Sequence, residues 1–195
     1  MSLHHAILGM LNYKPMSGYD FKAIFDESIN FFWSAKLSQI YRELGSLESR
    51  GLVSSIIEPQ TGKPDKKIYH ITDEGRAIFR DWMNKFPSVL RAPIREEFSI
   101  RVFFGSALQK EELEYQLGKF IKEGREELES LAAVEKIIEV FSREIGKPEE
   151  RFFWGLVLKR GRMITEASVR WAEESLVELS GARSKERKRN ASNRR

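Results

Sequence analysis

The chain of 195 residues contains no cysteine. This absence excludes disulfide bonds, thiolate catalysis and zinc sites with cysteine ligands, and it agrees with a location in the cytoplasm, where disulfides are rare. The chain has three histidines, His4, His5 and His70, and no set of acidic or cysteine residues at ligand spacing surrounds them. We therefore predict that the protein has no metal site.

Long apolar segments and the common catalytic motifs are also absent. No uninterrupted apolar run approaches the ~20 residues of a membrane span, and the N-terminus lacks the basic region and cleavage site of a signal peptide. The sequence has no P-loop, no G-x-G-x-x-G motif and no serine in a nucleophile elbow. We therefore expect a cytoplasmic protein that is not an enzyme, needs no cofactor and has no membrane partner.

A strong charge on the main part of the chain is missing as well. The formal net charge is +4, but residues 1–90 hold 11 basic and 10 acidic side chains, residues 91–182 hold 15 and 18, and residues 183–195 hold 7 and 1. The basic excess therefore lies in the C-terminal segment SKERKRNASNRR. Any nucleic-acid interface must be argued from the position of individual charges rather than from the net charge.

Apolar residues at helical spacing predict three helices in the first part of the chain. The first ends before Pro15, and the second begins at the N-cap candidate Ser17. The third begins at Ser34 or Ala35 and ends at Gly51. The apolar side of the third helix is formed by Leu37, Ile40, Leu44 and Leu47.

The pattern then changes to short runs of β-branched and aromatic residues. Residues 52–57 and 67–71 predict two strands, and the turn-forming segment 59–66 between them predicts a hairpin with a basic tip. Thr72 is the cap of a predicted fourth helix, whose apolar side chains we expect to face the core. These side chains are Ile78, Phe79, Trp82, Met83 and Phe86. Three helices, a hairpin and a helix is the order of a winged helix-turn-helix.

Three further helices are predicted after a boundary marked by Pro87 and Pro93. A modest helix ends at Gly105, and long helices extend from about 109 to 145 and from about 149 to 179. At ~35 residues each, the long helices would be ~50 Å long, too long to cover their apolar sides as an isolated pair. We therefore predict that they dimerise with a second copy in a coiled-coil-like arrangement.

The predicted fold class is mainly α with a small β-hairpin. Residues 1–88 are predicted to form a winged helix-turn-helix domain for DNA binding, and residues 89–182 a helical dimerisation domain. Residues 183–195 are predicted to be a disordered basic tail.

The third helix is one candidate for contact with DNA, because the side opposite its apolar residues is polar. Ser38, Gln39 and Arg42 lie opposite the apolar residues, and Lys36 lies near the helix start. Arginine can bind guanine O6 and N7, glutamine can bind adenine N6 and N7, and hydroxyl groups can reach phosphates. The alternative for an isolated helix is an ordinary solvated surface.

The hairpin tip is the second candidate. Lys63, Lys66 and Lys67 would place positive charge beside the DNA backbone, which adds affinity without sequence information. Three lysines in a turn are also a common feature of a soluble surface, so the hairpin alone does not establish DNA binding.

Several segments in a fixed order carry a resemblance to a known family. They are HAILGML at 5–11, SGYD at 17–20, FW at 32–33, QIYREL at 39–44, LE at 47–48, GLV at 51–53 and KIYHITDEG at 67–75. These segments resemble the PadR family of bacterial transcriptional regulators. The segment REEFSIRVFFG at 95–105 is similar to the C-terminal domain of the larger PadR subgroup and of the related virulence-gene activators.

The resemblance implies a homodimer that binds double-stranded DNA at an operator of approximate two-fold symmetry, usually as a repressor. It implies DNA contacts for Gln39, Tyr41 and Arg42 in the third helix and for Lys67 in the hairpin, with Tyr19 nearby. Many members have a proline directly after the helix-three tyrosine, where this chain has Arg42.

Trp154 and Trp171 are candidates for a small-molecule effector pocket at the dimer interface, as aromatic residues are in some PadR-like proteins. The alternative is that they are core residues of the long helices.

The function predicted is therefore sequence-specific regulation of transcription. The alternative is a winged-helix module for protein interaction without specific DNA binding, because a fold does not determine a function. Salt-sensitive retention on DNA would separate the two, since phosphate contacts release counterions.

Overall fold

The computed structural model describes residues 3–28, 32–62, 65–90 and 96–192, with side chains described as far as residue 181. The elements, in chain order, are α1 (Leu3–Tyr13), β1 (Met16–Ser17), α2 (Gly18–Ser28), α3 (Leu37–Ser49), β2 (Val53–Glu58), β3 (Lys66–Ile71), α4 (Asp73–Asn84), α5 (Glu97–Phe103), a 3-10 turn (Gly105–Ala107), α6 (Lys110–Glu144) and α7 (Glu150–Ser192). The predicted class, mainly helical with a small β-sheet, is confirmed.

The chain divides into two compact units. The first consists of Met1–Ala92 with Ile137–Arg151, and the second of Pro93–Lys136 with Phe152–Arg195. The turn between the two long helices thus belongs to the first unit, although the sequence alone assigns it to the C-terminal domain.

The core of the first unit lies between the first three helices and the sheet. Its fully buried side chains include Ile7 and Leu8 of α1 and Phe21 and Phe25 of α2. The predicted apolar side of the third helix is confirmed at Ile40, Leu44 and Leu47, whereas Leu37, at the helix start, is exposed.

The sheet has three antiparallel strands in the order β1-β3-β2. The sequence predicts only β2 and β3, because β1 is two residues long and has no periodicity of its own; it exists through pairing with β3, Met16 opposite Tyr69. Gly51 ends α3 as predicted. Its φ of 70° is the left-handed conformation, and the N–H of Leu52 donates to the carbonyl of Leu47 at 2.9 Å.

Helix α4 begins at the predicted cap, where the N–H of Gly75 donates to Thr72 Oγ1 at 3.1 Å. The prediction that its apolar side chains all face the core is wrong. Phe79 contacts the core, but Ile78, Trp82 and Met83 expose 40% or more of their surface and Phe86 exposes 80%. The helix packs on α1 along one narrow side, where Trp82 stacks on His5 with the ring centroids 4.4 Å apart.

The second unit is built on α5, α6 and α7. Leu117 and Ile121 of α6 pack with Val169 and Ala172 of α7, and Phe98 of α5 packs against them. The two long helices are confirmed. However, α7 does not end near residue 179 but continues to Ser192. The prediction that the chain is disordered from residue 183 is therefore wrong for residues 183–192. The segment is rich in arginine and lysine, which favour helices, and it contains no proline.

The turn between α6 and α7 is fixed to α1 within the first unit. The ammonium group of Lys14 forms an ion pair with Glu144 and lies 5.1 Å from the centroid of the Phe141 ring. Lys147 lies 5.8 Å from the ring centroid of Tyr13. The end of α6 and the turn after it thereby contact the end of α1 directly.

Candidate nucleic-acid interface

Helix α3 presents a row of polar side chains to solvent. Lys36, Ser38, Gln39, Tyr41 and Arg42 are all exposed, while the opposite side of the helix is buried in the core. Among the described residues, the guanidinium of Arg42 has no hydrogen-bond or ion-pair partner, so its five N–H donors face solvent. The predicted exposed side of the helix is confirmed, and its contact with DNA stays a prediction.

Gln39 has a structural task that the sequence-based prediction missed. Its side-chain Oε1 accepts the backbone N–H of Lys36 at 2.8 Å, and its own N–H donates to the carbonyl of Lys36 at 2.9 Å. The carboxamide oxygen therefore helps to begin the helix, and the NH2 group remains as a donor. Adenine would need both the oxygen and the nitrogen. The sequence carries only half of the signal, because a capping box combines a glutamine at the third helical position with a serine or threonine at the N-cap, and the N-cap here is Lys36.

Tyr41 joins the two helices of the helix-turn-helix. A Cβ atom at Gly18 would lie 2.6 Å from Cε1 of Tyr41, so the tyrosine ring packs directly on the backbone at the start of α2. The next residue, Tyr19, is 69% exposed. The structure therefore places both predicted tyrosines where α2 and α3 approach each other, and only a glycine at position 18 permits this packing.

Lys66 of the wing is held by the start of α2; by the wing we mean β2, β3 and the turn between them, residues 53–71. The ammonium group of Lys66 lies 2.8 Å from Asp20 Oδ2. The same carboxylate accepts the N–H and the hydroxyl of Ser17, at 3.2 and 2.8 Å. Burial raises the pKa of the Asp20 carboxyl, but the hydrogen bonds from Lys66 and Ser17 outweigh it and hold the pKa below its usual range. The same hydrogen bond favours the charged form of Lys66 and therefore raises the pKa of Lys66.

Lys67 is held by α3 in the same way. Its ammonium group lies 2.7 Å from Glu48 Oε2 and 5.1 Å from the ring centroid of Tyr69. The hydroxyl of Ser55 donates to the other carboxylate oxygen of Glu48. The hydrogen bond from Lys67 lowers the pKa of Glu48, and the same bond raises the pKa of Lys67. Both predicted wing lysines thus stand beside the helix-turn-helix but are paired with carboxylates.

The third predicted wing lysine, Lys63, lies outside the residues that the structure describes.

The two predicted effector tryptophans are far apart within one chain. Trp171 meets the rings of Phe98 and Phe120 edge-on, with centroids 6.3 and 5.8 Å away, and these two phenylalanines stack at 5.1 Å. Trp154 lies on the same helix, about 25 Å away along its axis at 1.5 Å per residue. One small pocket of a single chain therefore does not contain both indoles.

Two further observations concern sites of other kinds. Among the residues that the structure describes, no three His, Asp or Glu side chains gather in a way that could hold a metal ion. Within the same ranges, no helix combines the length and the apolar composition needed to cross a membrane.

Two family profiles match the chain. Residues 7–81 match the transcriptional regulator PadR-like family, and residues 94–180 match the family described as virulence activator alpha C-term. The first match covers the helix-turn-helix, the wing and most of α4, and the second covers the helices that follow.

Two curated relatives are similar in sequence over part of their length. The negative transcriptional regulator PadR of Bacillus subtilis (strain 168) is 37% identical over 110 residues, which are 56% of this chain and 60% of that protein. The probable transcriptional regulator Rv1176c of Mycobacterium tuberculosis is 45% identical over 83 residues, which are 43% of this chain and 44% of that protein. The aligned segment therefore spans less than two thirds of either relative.

Solved structures match along nearly the whole chain. Bacillus subtilis PadR in complex with operator DNA is 30% identical, with a TM-score of 0.78 over 92% of this chain and 99% of that chain. The Vibrio cholerae virulence activator AphA is 29% identical, with a TM-score of 0.71 over 93% and 99%. Bacillus subtilis PadR with p-coumaric acid is 28% identical, with a TM-score of 0.69 over 92% and 99%.

Proposed function

This chain belongs to the PadR-like family of transcriptional regulators, and we propose that it represses transcription by binding, as a homodimer, an operator of approximate two-fold symmetry. The observation that carries the proposal is the exposed polar side of α3. On it lies Arg42, whose guanidinium has no partner among the residues that the structure describes. One relative supports it on two counts: Bacillus subtilis PadR is named a negative transcriptional regulator, and it was crystallised on operator DNA. The proposed activity is binding without chemistry, carried out in the cytoplasm.

In this proposal, α3 enters the major groove. Arg42 donates two hydrogen bonds to guanine O6 and N7, and the NH2 group of Gln39 donates to an acceptor on a base edge or a phosphate. Ser38 and Lys36, at the helix start, contact the DNA backbone together with the hydroxyls of Tyr19 and Tyr41. The lysines of the wing, Lys63, Lys66 and Lys67, contact the adjacent backbone.

Dimerisation is proposed because the second unit exposes several large apolar side chains on α7, and exposed apolar patches are typical of interaction surfaces. Large apolar side chains on the first turns of α7 expose about half of their surface or more: Phe152, Phe153, Leu156 and Met163. A second copy would cover these side chains and place two α3 helices on half-sites about 34–36 Å apart, one turn of B-DNA.

An aromatic effector is also proposed, because Bacillus subtilis PadR was crystallised with p-coumaric acid. Trp171, 40% exposed at the edge of the Phe98 and Phe120 rings, is the first candidate for the pocket wall, and Trp154 is the second. Titration with p-coumaric acid should change the tryptophan fluorescence of the wild type, and the change should be lost in Trp171→Phe. A full response in both Trp171→Phe and Trp154→Phe would contradict the assignment.

DNA binding is tested by fluorescence anisotropy on a duplex from the region upstream of the protein's own gene. Arg42→Ala should weaken binding to that duplex by about 1–3 kcal/mol, the usual contribution of a bidentate arginine–guanine contact. Binding to a random-sequence duplex should change less. Arg80→Ala, which removes the same charge from the exposed side of α4, is the control. Equal binding by the wild type and Arg42→Ala would refute the placement of α3 on DNA.

A further inference from the structure

Two carboxylates of the helix-turn-helix hold the ammonium groups of the wing lysines. We propose that Asp20 and Glu48 compete with DNA phosphates for Lys66 and Lys67, and that this competition increases the selectivity of the protein for its operator over other DNA. The inference rests on the proposed function and names determinants of selectivity that do not themselves contact DNA.

The two pairs are separate and use different helices. Lys66 and Lys67 are consecutive residues of β3, so their side chains leave opposite faces of the sheet. Lys66 meets Asp20 of α2 at 2.8 Å, and Lys67 meets Glu48 of α3 at 2.7 Å. Each lysine of this strand therefore has an internal anion, supplied by a helix that the proposed function places at the DNA.

Contacts other than these pairs also hold the wing in position. Six register pairs join β2 to β3, β1 pairs with the other edge of β3, and Tyr69 of β3 is 4% exposed within the core. The lysine and carboxylate side chains of the two ion pairs keep between 33 and 44% of their surface in solvent. Ion pairs so exposed add little to stability, and a phosphate can reach them.

Selectivity follows from the competition. A lysine that is free to bind phosphate increases the affinity for every DNA sequence equally, because the backbone is the same everywhere. A lysine that is already neutralised by a carboxylate gains little from a passing phosphate. On the operator, base contacts of α3 hold the phosphates close to the wing for longer, and the exchange of carboxylate for phosphate becomes favourable. The carboxylates thus weaken the phosphate contacts that all DNA sequences share, and this raises the ratio of operator affinity to the affinity for other DNA.

The test uses Glu48→Gln and Asp20→Asn, which keep the shape of the side chains, remove the charge and leave one acceptor oxygen in each. Anisotropy is measured on the upstream duplex and on a random-sequence duplex of equal length, over a series of salt concentrations. On the random duplex, the slope of log K against log salt should become steeper by about 0.9 for each freed lysine, so affinity falls about 3.5-fold more between 50 and 200 mM salt. On the upstream duplex the slope should change less, because there the wild-type lysines already bind phosphate. At low salt, the random duplex should be bound more tightly and the ratio of operator to random affinity should fall.

Two controls separate this effect from a change in net charge. Asp81→Asn breaks an exposed ion pair with Lys85 on α4 and removes the same charge outside the wing. Glu48→Gln combined with Lys67→Gln removes the lysine that would be freed, so the steeper slope and tighter random binding should disappear. Persistence of the effect in this double variant, or an equal effect in Asp81→Asn, would overturn the inference.

The remaining outcomes separate the inference from the proposed function. One outcome would overturn the inference alone. In it, the wild type binds the upstream duplex, and Glu48→Gln and Asp20→Asn are shown by circular dichroism to be folded, but their salt slope and selectivity equal those of the wild type. A wild type that binds neither duplex would overturn the proposed function and, with it, the inference.

Discussion

Gln39 illustrates how a single side chain can combine a structural and a recognition role. Because its oxygen accepts the Lys36 N–H at the start of α3, Gln39→Ala should lower the free energy of unfolding by about 1 kcal/mol, the usual contribution of a helix cap. Gln39→Glu keeps an acceptor and adds a negative charge in the first helical turn, so it should stay as stable as the wild type. It lacks the NH2 donor, however, and should bind operator DNA more weakly.

Urea denaturation and anisotropy of these two variants separate the roles. Gln116→Ala, which removes the same kind of side chain from α6, away from α3, is the control and should change neither quantity appreciably. Normal operator affinity in Gln39→Glu would contradict a donor role for Gln39, whatever the stability of Gln39→Ala.

The carboxylates that hold the wing lysines should make stability depend on pH in acid. In the folded protein, the pKa values of Asp20 and Glu48 lie below their ordinary values of 3.8 and 4.5. The two groups therefore stabilise the fold above those ordinary values, and this contribution is lost as the pH falls through the lower folded values. For the lysines the sign is opposite, because their raised pKa gives a contribution that is lost only as the pH rises above 10.5.

The measurement is the free energy of unfolding between about pH 3 and pH 7. Because ion pairs so exposed add little to stability, we expect the free energy of unfolding of the wild type to exceed that of the double variant Asp20→Asn/Glu48→Gln by a small, constant amount near pH 7, and this difference to shrink below about pH 4. A difference that stays constant down to pH 3 would mean that the two carboxylates are not paired in the folded protein.

At the level of the element, α3 contains an unfavourable residue on its exposed side. Leaving aside the adjacent residues and the backbone of the helix itself, no atom in the described part of the chain lies within 4 Å of a Cβ built at Gly45, so alanine fits there without a clash. Gly45→Ala should therefore raise the free energy of unfolding by about 0.5–1 kcal/mol. Residue 45 is one turn from Arg42 on the same side of the helix, and we expect the added methyl group to weaken operator binding.

Gly118→Ala is the matched control, because Gly118 is also exposed, lies within α6 and, by the same measure and among the described residues, has no atom within 4 Å of its Cβ position. Both variants should be more stable in urea, and only Gly45→Ala should lose operator affinity. A loss of stability in Gly45→Ala would show that the glycine is needed by the fold itself.

The accuracy of the predictions for individual elements follows from the range of the interactions involved. Gly51 and Thr72 were predicted correctly because a helix stop and a helix cap depend on a few adjacent residues. The burial of α4 was predicted wrongly, because an apolar stripe shows that a helix has a side to cover but not whether its own unit covers it. Strand β1 was missed because its partner is more than fifty positions away in the chain.

At the level of the whole molecule, the expected assembly is a dimer. The monomer has a mass of 22.7 kDa, and light scattering should give twice this value for the wild type. Phe153→Glu places a charge within the exposed apolar patch of α7 and should shift the protein toward the monomer, since a buried unpaired carboxylate opposes association. Operator affinity should fall with it, because the two half-sites would be bound independently.

The control is Ile57→Glu, which makes the same kind of change at an exposed apolar residue of the wing. It should remain dimeric. Helix content measured by circular dichroism should be unchanged in both variants, because both side chains are exposed in the monomer. A dimer of unaltered stability in Phe153→Glu would place the interface elsewhere on the second unit.

The sequence by itself determined which segments are helical, where α3 is apolar and where it is polar, and the family to which the chain belongs. These features follow from local periodicity, caps and short motifs, which are written in adjacent residues. Only the tertiary structure decided that Lys66 lies with Asp20, that Lys67 lies with Glu48 and that the turn after α6 contacts α1. The physical reason is that ion pairs and packing join residues remote in the chain, whose proximity depends on the complete fold. The same lysines that the sequence suggests as free phosphate contacts therefore lie in the structure beside anions of their own.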